Sequence, residues 1–392
     1  MPTQARSGGI TLFLCGDLMT GRGIDQILPH PGKPRLLEPW MRSALGYVQL
    51  AEETNGPIGR PVDFAYIWGD ALDALRRAGP DLRIVNLETA VTASNDAWPG
   101  KGIHYRMHPA NLPCLAAAGI DCCVLANNHV LDWGTQGLKE TLDSLHRAGI
   151  ATAGAGLDGA GAAAPALLDV PGKGRVWVFA WAMEDSGVPA DWRAGPSRPG
   201  VNVLPDLGAR SLESIAQQTR AAKRAGDLVL ASIHWGGNWG FGISPRQRDF
   251  AHGLIDNAAV DLVHGHSSHH VKGIEIYRDK PILYGCGDLL NDYEGIRGHE
   301  QFRGDLALMY FPTLDEGRLT RFAMTATHTL HFRVNAAPES GVRWLMETLN
   351  REGRQFGTRV DRLGGHDLLL VRGGAAFVSR PMRGRLANNP PP

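Results

Sequence analysis

The chain has 392 residues, 43% of them hydrophobic, which is enough to bury a large core. Its 40 Lys and Arg residues balance its 40 Asp and Glu residues, so the formal net charge is zero and nucleic-acid binding is not predicted. Five cysteines, including the adjacent Cys122 and Cys123, predict buried reduced thiols in a cytoplasmic protein, and we expect neither a signal peptide nor a membrane span.

Apolar runs and amphipathic stretches alternate along the first half of the chain. This pattern predicts helices over residues 68–78, 111–118 and 134–148, and strands over residues 10–15, 81–85, 121–125, 150–153 and 175–182. Because strands alternate with helices, we expect an α/β fold with a parallel or mixed sheet under helical cover.

The second half continues this pattern. Helices are predicted over residues 212–225, 245–258 and 340–351, and strands over residues 227–233, 262–263, 273–277, 281–284, 306–311 and 321–334. We expect one domain over residues 1–379, followed by a disordered tail at residues 380–392 that has nothing to bury.

Two long irregular stretches interrupt the pattern and are predicted to be inserted lid loops. Residues 24–66 contain six prolines together with Trp40 and Tyr47, and residues 183–205 contain Trp192. The alternative for the first stretch is a surface excursion with its own small core and a helix near residues 38–53.

A third loop, residues 98–108, carries Lys101, His104, Tyr105 and Arg106. These basic and aromatic side chains could receive a carboxylate-bearing substrate, or they could be solvated loop residues. Arg22, which lies between two glycines, could likewise clamp an anion bidentately or be an ordinary surface arginine beside a tight turn.

Polar residues stand where five of the apolar runs end. The endings are Gly16-Asp17, Asn86-Leu87-Glu88, Asn127-Asn128-His129, His234-Trp235-Gly236 and the His-rich turn at residues 264–270. In open α/β sheets ligands bind at the carboxyl ends of strands, so five such endings in one sheet can converge. Asp, Glu, Asn and His together form a mixed nitrogen and oxygen ligand set for a divalent transition metal. Taken alone, the turn around His129 could instead be a loop whose Asn side chains bond their own backbone.

These endings, in this order and with Asp132, Gly134 and His269, resemble the signature of CapA-type proteins. CapA-type proteins belong to the calcineurin-like metallophosphoesterase superfamily, and CapA is named for capsule poly-γ-glutamate synthesis. The resemblance covers about residues 12–291 and implies a four-layer αββα sandwich with a metal centre at one sheet edge.

The resemblance also implies roles for individual residues. Glu88 would be the bridging acid among the metal ligands. His129 would be the general acid or base beside the metal, oriented by Asp132. The expected metal ligands are Asp17, Glu88, Asn128, His234, His266 and His269. They would hold one or two divalent ions (Mn, Zn, Fe, Ca or Mg), without an organic cofactor. For substrate binding we expect Arg22, Arg106, Asn127, Trp235 and Asn238.

The chain departs from the family pattern at four places. The superfamily usually has Asp-x-His at the first strand, whereas this chain has Asp17-Leu18-Met19 and so loses a nitrogen ligand. The later motifs differ as well: Gly265-His266-Ser267-Ser268-His269 replaces Gly-His-His-Pro-His, Gly287-Asp288-Leu289 replaces Gly-Asn-Phe, and Asn238 stands near the usual Glu. The substrate side of the pocket has therefore changed.

Two reactions fit such a centre. One is hydrolysis of a γ-glutamyl amide or a phosphoester. The other is epimerisation at Cα, for which His129 would need a second imidazole such as His264, His270 or His299.

Epimerisation is the first prediction, because a soluble branch of the CapA-like proteins includes the enzyme that inverts the C-terminal Trp of a lasso-peptide precursor. This chain is similar to that enzyme in size, and the tryptophans in its loops (Trp40, Trp98, Trp192 and Trp239) suit an apolar peptide end. We therefore expect a cytoplasmic peptide epimerase, with or without a leader-peptide-binding partner protein and without a membrane partner. The alternatives are a metal-dependent hydrolase and a poly-γ-glutamate synthesis or export factor.

Overall fold

The computed structural model describes residues 8–373. The predicted disordered tail, residues 380–392, lies outside the described residues. None of the helices between residues 8 and 373 combines the length and the apolar character needed to cross a membrane.

The helices and strands follow one another along the whole described range. The helices are α1 (Gly23–Ile27), α2 (Ala44–Asn55), α3 (Ala71–Ala78), α4 (Pro113–Ala117), α5 (Gly134–Arg147), α6 (Gly159–Ala163), α7 (Ala209–Ala222), α8 (Pro245–Asn257) and α9 (Glu339–Gly353). The strands are β1 (Ile10–Leu18), β2 (Leu82–Leu87), β3 (Ala90–Val91), β4 (Arg106–Met107), β5 (Cys122–Val124), β6 (Ala151–Ala153), β7 (Ala155–Gly156), β8 (Ala166–Val170), β9 (Gly174–Ala182), β10 (Gly200–Val201), β11 (Leu228–His234), β12 (Leu262–His266), β13 (Ile274–Tyr277), β14 (Lys280–Leu283), β15 (Asp288–Leu290), β16 (Leu306–Asp315), β17 (Arg318–Thr329), β18 (Val334–Ala336), β19 (Thr358–Gly364) and β20 (Asp367–Arg372).

Most strands belong to two mixed sheets. The large sheet has ten strands in the order β19-β20-β17-β16-β1-β2-β5-β6, with β15 beside β1 and β18 beside β17. The small sheet has six strands in the order β13-β14-β12-β11-β9-β8. In the large sheet β1, β2, β5 and β6 are parallel, and in the small sheet β9, β11, β12 and β14 are parallel. This arrangement confirms the predicted α/β class.

The two sheets share one hydrophobic core. Leu14 of β1 and Ile84 of β2 lie in the same buried cluster as Val178 of β9 and Leu230 of β11. Because side chains alternate between the faces of a strand, the intervening residues of β9 and β11 point away from the large sheet. Trp181 and its neighbours on that outer face form a second cluster with residues of α7 and α8.

Several sequence predictions are corrected by the structure. The predicted strand over residues 321–334 ends at Thr329, and the chain turns through His331 and Phe332, whose φ values are 58° and 53°. The Glu294 carboxylate accepts hydrogen bonds from the backbone N–H groups of both residues, which holds this turn. The helix near residues 38–53, which belonged to the alternative interpretation of the first irregular stretch, is present but begins later, at Ala44, where the Ser43 side chain caps it.

Other elements were not predicted at all, among them β8, β15, β19, β20, the short helix α1 and the two-residue strands β3, β4, β7 and β10. The cysteines agree with the prediction, because all five are free and buried.

Gly16, near the end of β1, packs closely against the backbone of Gly287. A Cβ added at Gly16 would lie 1.7 Å from the Gly287 carbonyl oxygen, and the Asp17 N–H donates a hydrogen bond of 2.9 Å to that oxygen. We expect Gly16→Ala to lower the free energy of unfolding by more than about 4 kcal/mol, because the added methyl cannot fit without breaking this contact. Urea denaturation would measure the change. Gly59→Ala is the matched control, since nothing lies within 4 Å of a Cβ built there, and equal stabilities of the two variants would contradict the expectation.

Candidate metal centre

The five polar strand endings meet at one place, although they do not come from one sheet as predicted. The endings of β1, β2 and β5 belong to the large sheet, whereas those of β11 and β12 belong to the small sheet. The sheets are joined directly at this point, because the His264 Nε2–H donates a hydrogen bond of 2.7 Å to the Cys15 carbonyl of β1. The face-to-face packing of the sheets therefore brings the endings together.

Asp17 is the shared member of two groups of potential metal ligands. The ligand atoms of Asp17, His234 and His266 lie within 4.8 Å of one another, and so do those of Asp17, His269 and Asp288. All five residues are buried. Asp288 was not expected as part of the site; the only signal in the sequence was the departure at Gly287-Asp288-Leu289.

An amide network holds the two expected acids together. The Asn86 side-chain NH2 donates to Asp17 Oδ1 at 2.7 Å and to Glu88 Oε2 at 3.1 Å. Asn127 donates in turn to Asn86 Oδ1 and to the Leu87 carbonyl, at 3.0 and 2.9 Å. Asn127, which was predicted to bind substrate, therefore supports the acid pair from behind.

The buried environment strongly disfavours the ionised forms of Asp17 and Glu88. Burial, followed by the charge of Asp288, raises the pKa of Asp17 to about 7. Burial and the neighbouring Asp17 raise the pKa of Glu88 well above its usual value. A cation bound between them would remove this penalty, because it would supply the missing opposite charge.

The two histidines on the small sheet face each other. Their Nδ1 atoms are 2.8 Å apart, and burial lowers the pKa of both His234 and His266, so both rings are neutral at physiological pH. Neutral imidazole is the form that binds metals.

A relay of hydrogen bonds selects the tautomer of His266. The His264 Nε2–H donates to the Cys15 carbonyl, so His264 Nδ1 carries a lone pair that accepts from the Ser232 hydroxyl at 3.1 Å. The Ser232 oxygen then accepts a hydrogen bond of 2.8 Å from the His266 Nε2–H. The proton of the neutral His266 ring is thus on Nε2, and Nδ1, which faces the centre, keeps its lone pair. His264 was predicted as a catalytic base, but both its nitrogens are occupied in this relay.

We expect Ser232→Ala to weaken binding of a divalent cation by about 10- to 100-fold, because His266 Nε2 would lose the partner that fixes its tautomer. Isothermal titration with Mn²⁺ would measure the change. Ser211→Ala is a control at a buried serine on α7 whose hydroxyl bonds Asp206. An unchanged affinity in Ser232→Ala would show that the relay has no influence on the centre.

His129 is held by an acid and by a lysine. Its Nδ1 lies 2.7 Å from Asp132 Oδ2 and 3.0 Å from Lys101 Nζ, and its Nε2 lies 3.8 Å from Glu88 Oε1. Lys101 also donates to Asp132 Oδ1 and to the Asn128 carbonyl. Burial and the Lys101 charge lower the pKa of His129 to about 4, so the ring is neutral and can accept a proton.

Lys101 therefore has neither of the roles that the sequence left open. Its ammonium group is buried against Asp132 and lies 5.2 Å from the centre of the Trp192 ring. Although burial raises the pKa of Asp132, Lys101 and His129 lower it overall, so Asp132 stays ionised and keeps its hold on His129.

Two unpartnered oxygen atoms point to a bound cation. Among the buried side-chain atoms without a hydrogen-bond partner in residues 8–373 are Asp17 Oδ2 and Asn128 Oδ1. Buried polar atoms are normally satisfied, so these oxygens are suited to a ligand that the protein itself does not supply. Carboxylate, amide and imidazole groups without a thiolate fit a divalent ion such as Mn²⁺, Fe²⁺ or Zn²⁺.

Three predicted substrate-binding residues are bound to protein groups, although Arg22 also lines the cavity described below. Arg22 is buried between the rings of Tyr47 and Tyr105, and it forms ion pairs with Asp292 and Glu38. Arg106 donates to the carbonyls of Ser94 and Lys33. Trp235 is 1% exposed and packs on Tyr284 in the small-sheet core.

A cavity of about 640 Å³ opens beside His269. Asn238, Trp40, Trp239 and His299 line this cavity, among other residues. His270, predicted as a base, accepts from the Gly240 N–H and donates to the Val271 carbonyl, so neither of its nitrogens is free.

Comparison with known proteins gives consistent matches. The family described as "Bacterial capsule synthesis protein PGA_cap" matches residues 11–293. The chain is 49% identical over 354 residues to a probable polyglutamine synthesis accessory protein of Mycobacterium tuberculosis, covering 90% of this chain and 93% of that one. It is 25% identical over 309 residues to the capsule biosynthesis protein CapA of Bacillus anthracis, covering 79% and 65% of the two chains. It is 26% identical over 292 residues to the PGA biosynthesis protein CapA of Bacillus subtilis, covering 71% and 62%.

Proposed function

The chain belongs to the family of bacterial capsule synthesis proteins, and from this membership we propose that it is a divalent-cation-dependent accessory enzyme of poly-γ-glutamate synthesis that cleaves γ-glutamyl amide bonds. The names of the relatives support the pathway. The observation that carries the proposed chemistry is the meeting of Asp17 with His234, His266 and His269 around an unpartnered carboxylate oxygen.

We further propose that the fold is the four-layer metallophosphoesterase sandwich. The shared core of the two sheets supports this proposal, and so do the helices α7 and α8, which lie outside the small sheet.

The cation would be held by Asp17, Glu88, Asn128, His234, His266 and His269. When bound, it would polarise the amide carbonyl of the substrate as a Lewis acid. The protein's own residues then account for the proton movements.

His129 is the proposed group that moves the proton. Asp132 accepts the Nδ1–H, which leaves Nε2 with a lone pair 3.8 Å from Glu88. Hydrolysis adds water across the C–N bond, so Nε2 would take a proton from the water and return it to the leaving nitrogen. The charged Asp132 would stabilise the imidazolium form of His129 while it carries the proton. Lys101, which keeps Asp132 charged, itself lowers the pKa of His129 and so would favour the return of the proton.

The test uses a short γ-linked glutamate oligomer with purified protein and Mn²⁺, and it counts new amino termini. An α-linked oligomer of the same length is the control for linkage. New termini from the γ-linked oligomer alone, abolished by a chelator, are expected. Intact γ-linked oligomer with every divalent cation tried would contradict the proposed reaction.

Epimerisation of a peptide residue is a second candidate, and one observation favours it. The burial that lowers the pKa of His129 would also lower that of His269, but Asp288 and Asp17 raise the pKa of His269 overall. One imidazole at the centre is thus set to accept a proton and another to donate one, as removal of a Cα proton and its return require. This reaction needs His269 to be free of a cation.

Incubation of a candidate peptide in deuterium oxide separates the two reactions. Epimerisation would place one deuterium at Cα without new termini, whereas hydrolysis would give new termini without deuterium at Cα. A cytoplasmic location and a leader-peptide-binding partner stay predictions.

A further inference from the structure

The chain that follows β12 contains a lysine that is almost fully buried. Lys272 is 6% exposed, and its backbone N–H donates a hydrogen bond of 3.0 Å to the Gly285 carbonyl. Its aliphatic stem lies over Gly285, since a Cβ added there would be 3.1 Å from the Cγ and Cδ atoms of Lys272. The missing side chain at position 285 therefore makes room for the lysine.

The ammonium group of Lys272 forms no ion pair with an acid of residues 8–373. Its Nζ donates one hydrogen bond of 3.3 Å, to the Gly242 carbonyl, although an ammonium group has three donors. The other lysines of this range that are not exposed each pair with an aspartate; they are Lys101, Lys173, Lys223 and Lys280. Lys272 is the exception among them.

Burial without a counterion is unfavourable for a lysine. Burial lowers the pKa of Lys272, and the charge of Asp185 offsets this effect only in part. Asp185 itself accepts a hydrogen bond of 3.0 Å from the Gly236 N–H. An anion at Nζ would supply the opposite charge and accept the unused hydrogen bonds, so the anion and the charged form of Lys272 would stabilise each other.

Lys272 lies in the wall of a shallow cavity of about 440 Å³. Much of the remaining wall is a glycine-rich loop, residues 236–242, and no acidic side chain lines the cavity. Because four of the seven loop residues are glycines, much of its backbone is uncovered, and the N–H groups of Gly237 and Gly242 have no hydrogen-bond partner in residues 8–373. Backbone N–H groups beside an ammonium group are suitable donors for an oxyanion.

The glycine-rich loop also borders the larger cavity beside His269. Trp239 lines both cavities, and the loop begins two residues after His234. An elongated substrate at the centre can therefore reach Lys272 by passing Trp239. A γ-linked glutamate chain carries a free α-carboxylate on every residue, so it can place a carboxylate at a site that lies away from the cleaved bond.

We propose that Lys272 and the glycine-rich loop form a subsite that binds an α-carboxylate of a γ-linked glutamate chain, away from the bond that is cleaved. This inference rests on the proposed function for its substrate and adds a specificity-determining contact to it. A γ-linked chain without free carboxylates is then a poor ligand.

The test is isothermal titration calorimetry of the full chain with a γ-linked glutamate oligomer and Mn²⁺. Protein with His129→Ala is the reference, because slow turnover keeps the oligomer intact during the titration. Adding Lys272→Met is expected to weaken binding by at least about 10-fold, since charge-assisted hydrogen bonds are lost. Adding Lys139→Met, which removes an exposed lysine of α5, is the matched control and should leave the affinity unchanged.

Two further ligands identify the group that is bound. The oligomer with methyl-esterified α-carboxylates should bind the reference more weakly, and Lys272→Met should weaken it no further. An equal effect of Lys272→Met on the free and the esterified oligomer would overturn the proposal. Binding of inorganic phosphate that depends on Lys272, together with oligomer binding that does not, would assign the subsite to free phosphate and would also overturn it.

Equal affinities for the oligomer with and without Lys272→Met would mean that Lys272 only holds the Gly242 carbonyl. If the Lys272→Met protein does not fold, a crystal structure of the reference protein with the oligomer replaces it. A carboxylate within about 3.2 Å of Lys272 Nζ is then expected, and a carboxylate-free Nζ would overturn the proposal.

The failure of this inference is distinguishable from the failure of the proposed function. Oligomer binding that depends on Lys272, without new amino termini in the unaltered protein, contradicts the proposed cleavage and supports the subsite. Cleavage of the oligomer with binding that does not depend on Lys272 contradicts the subsite alone.

Discussion

His234→Ala is expected to lose its divalent cation at the group formed by Asp17, His234 and His266. Removing a neutral imidazole leaves one carboxylate and one nitrogen, and we expect the affinity to fall by at least about 100-fold, beyond the usual effect of losing an outer partner. Metal analysis after dialysis against equimolar Mn²⁺ or Zn²⁺ would measure the loss, and circular dichroism would verify the fold.

His252→Ala is the matched control for this experiment. His252 pairs with Glu275 and stacks on Tyr277, and it belongs to neither ligand group. Full metal occupancy in His234→Ala, or equal losses in the two variants, would remove His234 from the centre.

His129→Ala is expected to keep the cation and to lose turnover of the γ-linked oligomer by about 10²- to 10⁴-fold, the usual contribution of a general acid or base. The separation of the two properties follows from the geometry, because His129 contacts Asp132 and Lys101 and belongs to neither ligand group. Initial rates at saturating substrate, combined with metal analysis of the same samples, would measure both.

The exposed His146 on α5 provides the control, since its ring is hydrogen-bonded to Thr152 at 3.2 Å and belongs to neither ligand group. His146→Ala should match the unaltered protein in both measurements. Unchanged turnover in His129→Ala would exclude it as the proton-transferring group, and loss of the cation would instead make it a ligand.

The sequence was most informative where chemistry follows directly after a strand. Asp17, Glu88 and His234 each follow an apolar run, and a strand's carboxyl end is a fixed place in a sheet. Their convergence could therefore be predicted without coordinates. That they come from two sheets could not, because strand order depends on long-range pairing that apolar runs do not encode.

Other assignments failed because the decisive partner is distant in the sequence. Arg22, between two glycines, looks free to bind an anion, but Asp292 and Glu38 occupy it. Asp288 was not predicted as part of the site because β15 has only three residues, too few to show the alternation of a strand. Its partner in the sheet, Asp17, is 271 positions away (288 − 17) in the chain. Lys101 lies on an irregular loop, where spacing predicts no contact at all.

The turn after β17 shows a different limit. Leu330, Phe332 and Val334 alternate with polar residues as a strand would, and this pattern predicts one long strand. The backbone instead adopts positive φ at His331 and Phe332, because the Glu294 carboxylate accepts hydrogen bonds from the N–H groups of both residues. A tertiary hydrogen bond thus overrides the local pattern.

The most direct measurement is elemental analysis of the protein purified without chelators, combined with anomalous diffraction at the absorption edge of the metal that is found. At least one equivalent of a divalent ion per chain is expected, with its anomalous peak between Asp17 and His234. Protein that catalyses its reaction without a stoichiometric ion, or an ion located away from these two residues, would contradict the metal centre.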